Sequence, residues 1–262
     1  MDRIDTSVAH PARRYNYWLG GKDHFAADRE SGDLHAKAFP TVRIAARENR
    51  DFLRRSVRFL AESGIRQFLD IGTGLPVPDN THEIAQRIDP TSRVLYVDND
   101  PIVMTHSRAL TIGSPTGRTG YVEADLRSPE VILEAPELRA VLNLQEPVGL
   151  LLVAVLHFLH DDTQAQGIVR TLLAALPPGS YLVASNLTLD YASPEQVAKH
   201  KELLASGRTD ARARNSAEFG SFFTDLELVS PGIVAVSDWR PESDERPTAA
   251  DVSIYGAVGR TT

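Results

Sequence analysis

Two aspartates and a pair of glycines stand directly after short apolar segments of the sequence. Gly72 and Gly74 follow the first of these segments, Asp98 the second and Asp125 the third. Because glycines lack a Cβ, they allow a tight turn and let a ligand approach the backbone. Asp98 comes 24 residues after Gly74, and a carboxylate about 20 residues beyond such a loop commonly binds a ribose diol. The pattern predicts a binding site for a ligand that contains adenosine.

The charge near the glycine loop separates two classes of adenosine ligand. A dinucleotide brings a pyrophosphate, and its fingerprint needs a third glycine where this sequence has Val77, next to Pro76. S-adenosylmethionine (SAM) has no phosphate but carries an ammonium and a sulfonium, to which Asp70 offers a negative charge immediately before the loop. SAM therefore fits the sequence better. A nicotinamide-dependent oxidoreductase is the alternative on a similar sheet, although the sequence has no Tyr-x-x-x-Lys pair.

Each of these residues also has a purely structural interpretation. The glycine pair could form an ordinary turn between a strand and a helix, and Asp98 could cap the helix that begins near Pro101. Asp125 could be a solvated turn residue. It is their combination after successive strands that favours a ligand site.

Strands and helices alternate along the middle of the chain. Short apolar runs predict strands at 67–71, 93–97, 120–124, 150–154 and 181–185. Helical patterns predict helices at 41–63, 80–88, 101–110 and 164–176. This alternation is typical of an α/β fold with a parallel sheet and right-handed crossovers. Since ligands bind beyond the carboxyl ends of such strands, the sheet would gather the glycine loop and the aspartates at one edge.

The C-terminal part is different, because no helix separates its strand candidates. Segments 226–229 and 233–236 are joined by only three residues, and 252–258 follows closely. An antiparallel hairpin at the edge of the sheet satisfies this arrangement. Between the parallel strands and this hairpin, 190–223 predicts two helices. Three arginines of that segment are expected on a solvated loop: Arg208, Arg212 and Arg214.

The first 63 residues form a predicted helical arm, and residues 64–262 form the core. Through about residue 39 the arm mixes aromatic and charged residues without a clear period, and an amphipathic helix follows whose apolar stripe is interrupted by Asn49. The arm could be a moving lid hinged at Gly20 and Gly21, or a fixed packing strap. The residues that would cover the cleft are Tyr15, Asn16, Trp18 and Lys22.

Several motifs resemble those of a known enzyme class. Segment 68–74 is similar to the first motif of class I SAM-dependent methyltransferases, 97–98 to their second and 124–126 to their third. More narrowly, the chain resembles a bacterial S-adenosyl methyltransferase family formerly known only as a domain of unknown function. The segments that carry this resemblance are 15–29, 72–76, 155–158 and 227–232. It extends over nearly the whole chain and implies a Rossmann-like, seven-stranded, mostly parallel sheet with an antiparallel edge hairpin.

The resemblance also implies roles for individual residues. The glycine loop would wrap the methionine part of SAM, Asp98 would bind the ribose, and residues after the third and fourth strands would hold the adenine and flank the sulfonium. The implied SAM-binding residues are Asp70, Gly72, Thr73, Gly74, Asp98, Asn99, Asp125, Leu126, Val153 and Ala154. Pro76 departs from the third glycine of many members. Val153 is apolar where DNA-methylating relatives have an Asn-Pro-Pro-Tyr type motif, so methylation of DNA amino groups is disfavoured.

Methyl transfer is an in-line displacement at a carbon that the sulfonium already activates. The protein mainly has to align the acceptor and the methyl group about 3 Å apart. A general base is needed only when the acceptor carries a proton of high pKa. His157, just beyond the fourth strand, is the best-placed candidate, and His160, His24 and Tyr15 are weaker ones. A structural hydrogen bond is the other interpretation of His157. The expected function is methyl transfer from SAM to a small-molecule acceptor, and a non-catalytic sensor of SAM or S-adenosylhomocysteine (SAH) is the alternative.

The composition excludes several other classes of protein. The 262 residues include no cysteine, which rules out disulfides and thiol chemistry, and no metal site is expected. A net charge of −7 argues against a nucleic-acid-binding protein. The longest apolar stretch, 148–159, is shorter than the roughly 20 residues that cross a bilayer. We therefore expect a soluble cytoplasmic protein without nucleic-acid or membrane partners, either monomeric or homodimeric.

Overall fold

In the part of the chain that the computed structural model describes, residues 5–110 and 114–262, eight strands form one sheet. They are β1 (Gln67–Ile71), β2 (Arg93–Asp98), β3 (Arg118–Glu123), β4 (Gly149–Leu152), β5 (Tyr181–Leu187), β6 (Leu226–Leu228), β7 (Val234–Ala235) and β8 (Ile254–Thr261). Across the sheet the order is β3-β2-β1-β4-β5-β8-β6, and the two-residue β7 also pairs with β8.

The first five strands are parallel to one another, and β8 is antiparallel to β5. Successive residues of the central strands enter two apolar clusters: Leu69 belongs to one and Phe68 to the other. Since neighbouring side chains of a strand point to opposite faces, both faces of the sheet are covered. The predicted α/β class, with a mostly parallel sheet and an antiparallel edge, is confirmed. Seven strands lie side by side in the order given above, and β7 is a short eighth strand beside them.

Helices cover the sheet and form the N-terminal arm. They are α1 (Pro11–Trp18), α2 (Ala26–Ala38), α3 (Val42–Glu62), α4 (Thr81–Ile88), α5 (Pro101–Leu110), α6 (Pro129–Glu134), α7 (Pro136–Val141), α8 (Asp162–Ala174), α9 (Pro194–Ala205), α10 (Ser216–Gly220) and α11 (Ala249–Val252). Of the stripe that the periodicity predicts, Val42 is only partly buried, whereas the other members are buried: Ala46, Asn49, Leu53, Val57 and Leu60. Among the helices of the described residues, none is long and apolar enough to cross a membrane.

The antiparallel edge is built differently from the expected hairpin. Segments 226–229 and 233–236 do not pair with each other in the described structure, because both β6 and β7 pair with β8. The chain leaves the sheet between them, since Pro231 has no N–H to donate to a neighbouring strand. Gly232 completes the excursion with a φ of +85°, a backbone conformation that favours glycine. β6 and β7 are therefore two parts of one interrupted edge strand.

Candidate functional site

The carboxyl ends of the parallel strands open into a cavity of about 790 Å³. This volume lies within the range of about 300–1,000 Å³ that is typical of small-molecule sites. All the predicted SAM-binding residues line it: Asp70, Gly72, Thr73, Gly74, Asp98, Asn99, Asp125, Leu126, Val153 and Ala154. His157 lines it as well, so the sheet gathers the residues that the sequence scatters over some ninety positions.

Two of the four arm residues proposed to cover the cleft reach the cavity. Tyr15 and Trp18 line it. Lys22 is exposed, and Asn16 is buried with its Oδ1 accepting the backbone N–H of Asp23 at 3.1 Å. Asn16 thus shapes the turn after α1, and neither Asn16 nor Lys22 belongs to the cavity wall.

The glycine loop has the left-handed backbone conformation that a tight turn needs. Gly72 and Gly74 have φ values of +77° and +69°, which residues with a Cβ seldom adopt. The N–H of Gly72 donates to the carbonyl of Val97 at 2.8 Å, which joins the loop to the end of β2. A Cβ on Gly72 would lie 2.7 Å from Cγ2 of Val155. The loop therefore packs directly against the turn that follows β4.

Asp98 is buried beside this loop and uses both carboxylate oxygens. Its Oδ2 accepts the N–H of Gly74 at 2.8 Å, and its Oδ1 accepts the N–H of Asp100 at 2.9 Å. Burial raises the pKa of the Asp98 carboxyl, although these two hydrogen bonds oppose the rise. Each oxygen keeps a further lone pair, so Asp98 can still accept hydrogen bonds from a ligand.

Asp70 adds a second buried carboxyl at this end of the cavity. Its Oδ2 accepts the hydroxyl hydrogen of Thr81 at 2.6 Å. Burial raises the pKa of Asp70 to about 6, the charge of Asp98 adds to this rise, and the Thr81 hydrogen bond and the Arg50 charge oppose it. Two buried carboxyls in one cavity disfavour each other's ionised form, and a cationic ligand would remove that penalty.

Asp125 lies with Asn99 beyond β2 and β3. Its Oδ2 accepts hydrogen bonds from Nδ2 of Asn99 at 3.0 Å and Nη1 of Arg127 at 2.9 Å. Burial alone would raise the pKa of the Asp125 carboxyl, but the hydrogen bonds and charge of Arg127 bring it below its usual value. Asp125 and Asn99 are therefore already joined and partly solvated at the position expected for the adenine.

The sequence matches a known family over its full length. The S-adenosyl methyltransferase family model matches residues 1–262. The chain belongs to the S-adenosyl methyltransferase family. The crystal structure of a DUF574 family protein from Streptomyces avermitilis is 50% identical and superimposes with a TM-score of 0.94, covering 99% of this chain and 100% of that one.

A second structure, of a candidate methyltransferase from Thermobifida fusca, is 40% identical with a TM-score of 0.89 and covers 98% of this chain and 97% of that one. The N-methyltransferase NodS from Bradyrhizobium japonicum is more distant, with 15% identity and a TM-score of 0.49 over 82% of this chain and 96% of that one. No curated protein matches the chain.

Three of the four segments that carry the resemblance to this methyltransferase family meet at the cavity. Residues of 15–29, 72–76 and 155–158 line it. The fourth segment, 227–232, forms the interrupted edge of the sheet and contributes no lining residue. The first three segments therefore contribute to the cavity, whereas the fourth contributes to the sheet.

Arg50, on α3, also lines the cavity, and the sequence analysis did not predict it as a site residue. Its Nη2 donates to the carbonyl of Asp79 at 2.8 Å, and its Nε is buried without a partner among the described residues. Its charge opposes the raised pKa of Asp70, so Arg50 acts on the acidic end of the cavity. Its free N–H could bind the carboxylate of an amino-acid ligand. Nothing in the sequence distinguishes Arg50 from the other arginines of α3.

A chain of buried hydrogen bonds connects the arm to the turn after β4. The N–H of Ala154 donates to Oγ of Ser185 at 2.9 Å, and that hydroxyl donates to Oδ1 of Asn49 at 2.6 Å. Nδ2 of Asn49 donates to the hydroxyl of Tyr15 at 3.0 Å, which donates to the carbonyl of Ala46 at 2.8 Å. Ala154 has a φ of +56°, which is costly for a residue with a Cβ. The polar interruption of α3 thus helps to hold a strained backbone at the cavity.

His157 lies on a short 3-10 turn, Leu156–Phe158, that follows β4. Burial lowers the pKa of His157 to about 4, although the charge of Asp210 opposes this change. The imidazole is therefore neutral at neutral pH, and its Nδ1 is buried without a partner among the described residues. A group of such low pKa is a weak proton acceptor. The geometry supports a ligand contact for His157 better than proton transfer.

Arg214 is buried, contrary to the expectation of a solvated loop. Its Nη1 donates to the carbonyl of Leu156 and to Oδ1 of Asn186, both at 2.9 Å, and its Nη2 donates to the carbonyl of Leu159 at 2.6 Å. Its Nε pairs with Oδ1 of Asp162 at 3.0 Å. Because all three guanidinium nitrogens have acceptors, the charge can be buried. Arg214 fixes the turn that positions one wall of the cavity.

Proposed function

We propose that the chain is a SAM-dependent methyltransferase that transfers a methyl group to a small-molecule acceptor. The observation that carries this proposal is that Asp70, Asp98 and Asp125, from the ends of neighbouring parallel strands, line one cavity with the loop 72–74. Membership of the S-adenosyl methyltransferase family supports it. In this proposal Asp98 binds the ribose hydroxyls, while Asp125 lies with Asn99 along the adenine.

The residues of the cavity fit SAM in charge and in shape. The buried carboxyl of Asp70 would face the cationic methionine end, which explains why a carboxyl is kept where burial penalises its charge. Arg50 would bind the methionine carboxylate through its unpartnered Nε. Gly74 leaves the loop open to the approach of a ligand, because the position that its Cβ would occupy is open space.

The contribution of the chain to the reaction is mainly alignment. When bound, SAM supplies a methyl group on a positively charged sulfur. The acceptor's lone pair would form the new bond to carbon while the electrons of the carbon–sulfur bond go to the sulfur, which leaves as SAH, and a proton of the acceptor would pass to water. Val153 and Ala154 would flank the reacting carbon, held by the hydrogen-bond chain through Asn49. Tyr15 and Trp18, on the N-terminal arm, would exclude water from the cavity. We assign His157 to contact with the acceptor.

Calorimetric titrations with SAM and with NAD, followed by incubation with methyl-labelled SAM and fractionated cell extract, test the proposal. We expect SAM to bind, NAD not to bind, and label to appear in a low-molecular-mass fraction. Tight SAM binding without a labelled product in any fraction would favour a non-catalytic sensor. Binding of NAD in place of SAM would favour the oxidoreductase alternative.

Binding of SAM is expected to release a proton from Asp70 near pH 6. With a pKa of about 6, about half of the Asp70 carboxyls carry a proton at that pH, and a bound ammonium would lower the pKa and expel it. Affinity should therefore fall as the pH is lowered from 7 to 5, because protonation removes the charge that binds the ligand. Titrations in two buffers of different ionisation enthalpy count the released protons.

The variants Asp70→Asn and Asp125→Asn are the matched pair for this measurement. Asp125 has a lowered pKa and is already ionised at pH 6, so Asp125→Asn should leave proton release unchanged, whereas Asp70→Asn should abolish it. Release that persists in Asp70→Asn would assign the proton to another group, with Asp98 the first to test.

A further inference from the structure

The cavity has a second end that is rich in aromatic and imidazole rings. The rings that line it are Trp18, His35, Phe39, His157, Phe158 and His200. The two ends have different charged neighbours: Asp210 and Arg14 act on the pKa of His157, whereas Arg50 and Asp98 act on that of Asp70. If the acidic end holds SAM, as proposed above, the ring-rich end is left for the other reactant.

The charges at the ring-rich end compensate one another. Nη2 of Arg14 lies 2.6 Å from Oδ1 of Asp210. Burial would raise the pKa of the Asp210 carboxyl, but the charge and hydrogen bond of Arg14 bring it below its usual value, so the pair stays ionised. Burial lowers the pKa of both His35 and His200, which keeps these rings neutral. Asp161 also lines the cavity, but it is exposed to solvent and caps α8.

The imidazoles at this end differ in how their nitrogens are used. Both ring nitrogens of His35 are hydrogen-bonded, at 2.8 and 3.1 Å. His200 is 4% exposed, and its Nε2 has no partner among the described residues. In the neutral tautomer that carries its N–H on Nδ1, this Nε2 is an unpaired acceptor. An unpaired buried acceptor calls for a ligand that brings a donor.

The ring faces favour a flat ligand over a cation. Trp18 meets His35 edge to face at 5.8 Å between ring centres, and Phe39 meets His200 in the same way at 6.0 Å. All four of these residues line the cavity, and aromatic side chains bind other rings well. The guanidinium of Arg14 already lies over the Trp18 ring at 5.6 Å, so the position that would attract a ligand cation to Trp18 is filled.

Resting on the proposed function, we infer that the ring-rich end binds the methyl acceptor, and that the acceptor is an uncharged ring compound with a hydroxyl or amine hydrogen that it donates to Nε2 of His200. A carboxylate or phosphate would find two of the three Arg14 nitrogens already used, because Nη1 donates to Ser31 and Nη2 pairs with Asp210, which leaves only its buried Nε. An ammonium would find Asp210, already paired with Arg14, and the solvated Asp161.

Three probes of similar size and different charge test this inference on the full chain saturated with SAH: 1-naphthol, 1-naphthoate and 1-naphthylmethylammonium. Their affinities are measured by calorimetry at neutral pH. We expect 1-naphthol to bind at least about tenfold more tightly than either ion, because the charges of Arg14 and Asp210 are already paired with each other. Tighter binding of 1-naphthoate or of the ammonium would overturn the inference.

The variant His200→Phe keeps a ring but removes the acceptor nitrogen. It should weaken 1-naphthol binding about fivefold, the loss expected for one hydrogen bond, and leave SAH binding within about twofold. His200→Gln, which retains an acceptor, should recover part of the loss. Lys199→Gln, on the exposed side of the same helix, is the matched control and should change neither affinity.

The titration with SAH alone separates the two proposals. If wild-type protein fails to bind SAH, the proposed function itself fails. If SAH binds but 1-naphthol does not, or if His200→Phe binds SAH and 1-naphthol as the wild type does, only the assignment of the acceptor is wrong.

Discussion

Replacing Asp98 with alanine is expected to weaken SAM binding by about 1–3 kcal/mol, or about 5- to 150-fold. Asp98 is buried, and its Oδ2 accepts the N–H of Gly74 at 2.8 Å. Removing the carboxylate would leave that N–H and the ribose hydroxyls without this acceptor at a buried position. It would also remove one of the hydrogen bonds that join the glycine loop to the end of β2. Calorimetric titration of the purified variant with SAM measures the loss.

Two further variants separate the carboxylate's roles. Asp98→Asn keeps one oxygen acceptor without the charge, so its affinity should lie between those of the wild type and the alanine variant. Glu130→Ala makes the same change in net charge at an exposed residue outside the cavity wall and should bind SAM normally. A folded Asp98→Ala protein with wild-type affinity would rule out Asp98 as the ribose ligand.

The parallel half of the fold is readily predicted from the sequence, because its strands are covered on both faces. Such strands appear as uninterrupted apolar runs, and the run at 67–71 matches β1 at both ends. The position of the site follows from the same signal, since parallel strands end at one edge of the sheet. Local signals sufficed here because a strand covered on both faces leaves few alternatives for its residues.

The edge of the sheet and the polar network beside the cavity depend on contacts between residues that are far apart in the sequence. Whether β6 pairs with β7 or with β8 is decided by a partner some thirty residues away, and the three-residue link alone favours a hairpin. Asn49 interrupts an apolar stripe in the sequence, and only the fold shows that it is hydrogen-bonded to Ser185 and Tyr15. A polar residue that breaks an amphipathic stripe is therefore a useful sign of a buried polar network, although it does not identify the partners.

Arg214 is the clearest case of a residue whose environment the sequence conceals, and its replacement by alanine is expected to destabilise the protein by about 3–5 kcal/mol. The guanidinium donates to two backbone carbonyls of the turn 156–159, to Asn186 and to Asp162. Asp162 would keep Arg212 as a partner, but the two backbone carbonyls and Asn186 would lose this donor. The face of Phe222 would also lose the guanidinium packed on it at 5.1 Å. Urea denaturation followed by circular dichroism measures the free energy of unfolding.

Arg208→Ala and Arg214→Lys are the control variants for this prediction. Arg208 is exposed on the preceding segment, so Arg208→Ala should change the free energy of unfolding by no more than about 0.5 kcal/mol. Arg214→Lys keeps the charge but not the planar fork, and a single ammonium cannot reach acceptors arranged on several sides. It should therefore recover only a small part of the loss. Wild-type stability in Arg214→Ala would mean that water can replace the guanidinium, and that the turn carrying His157 holds its position without it.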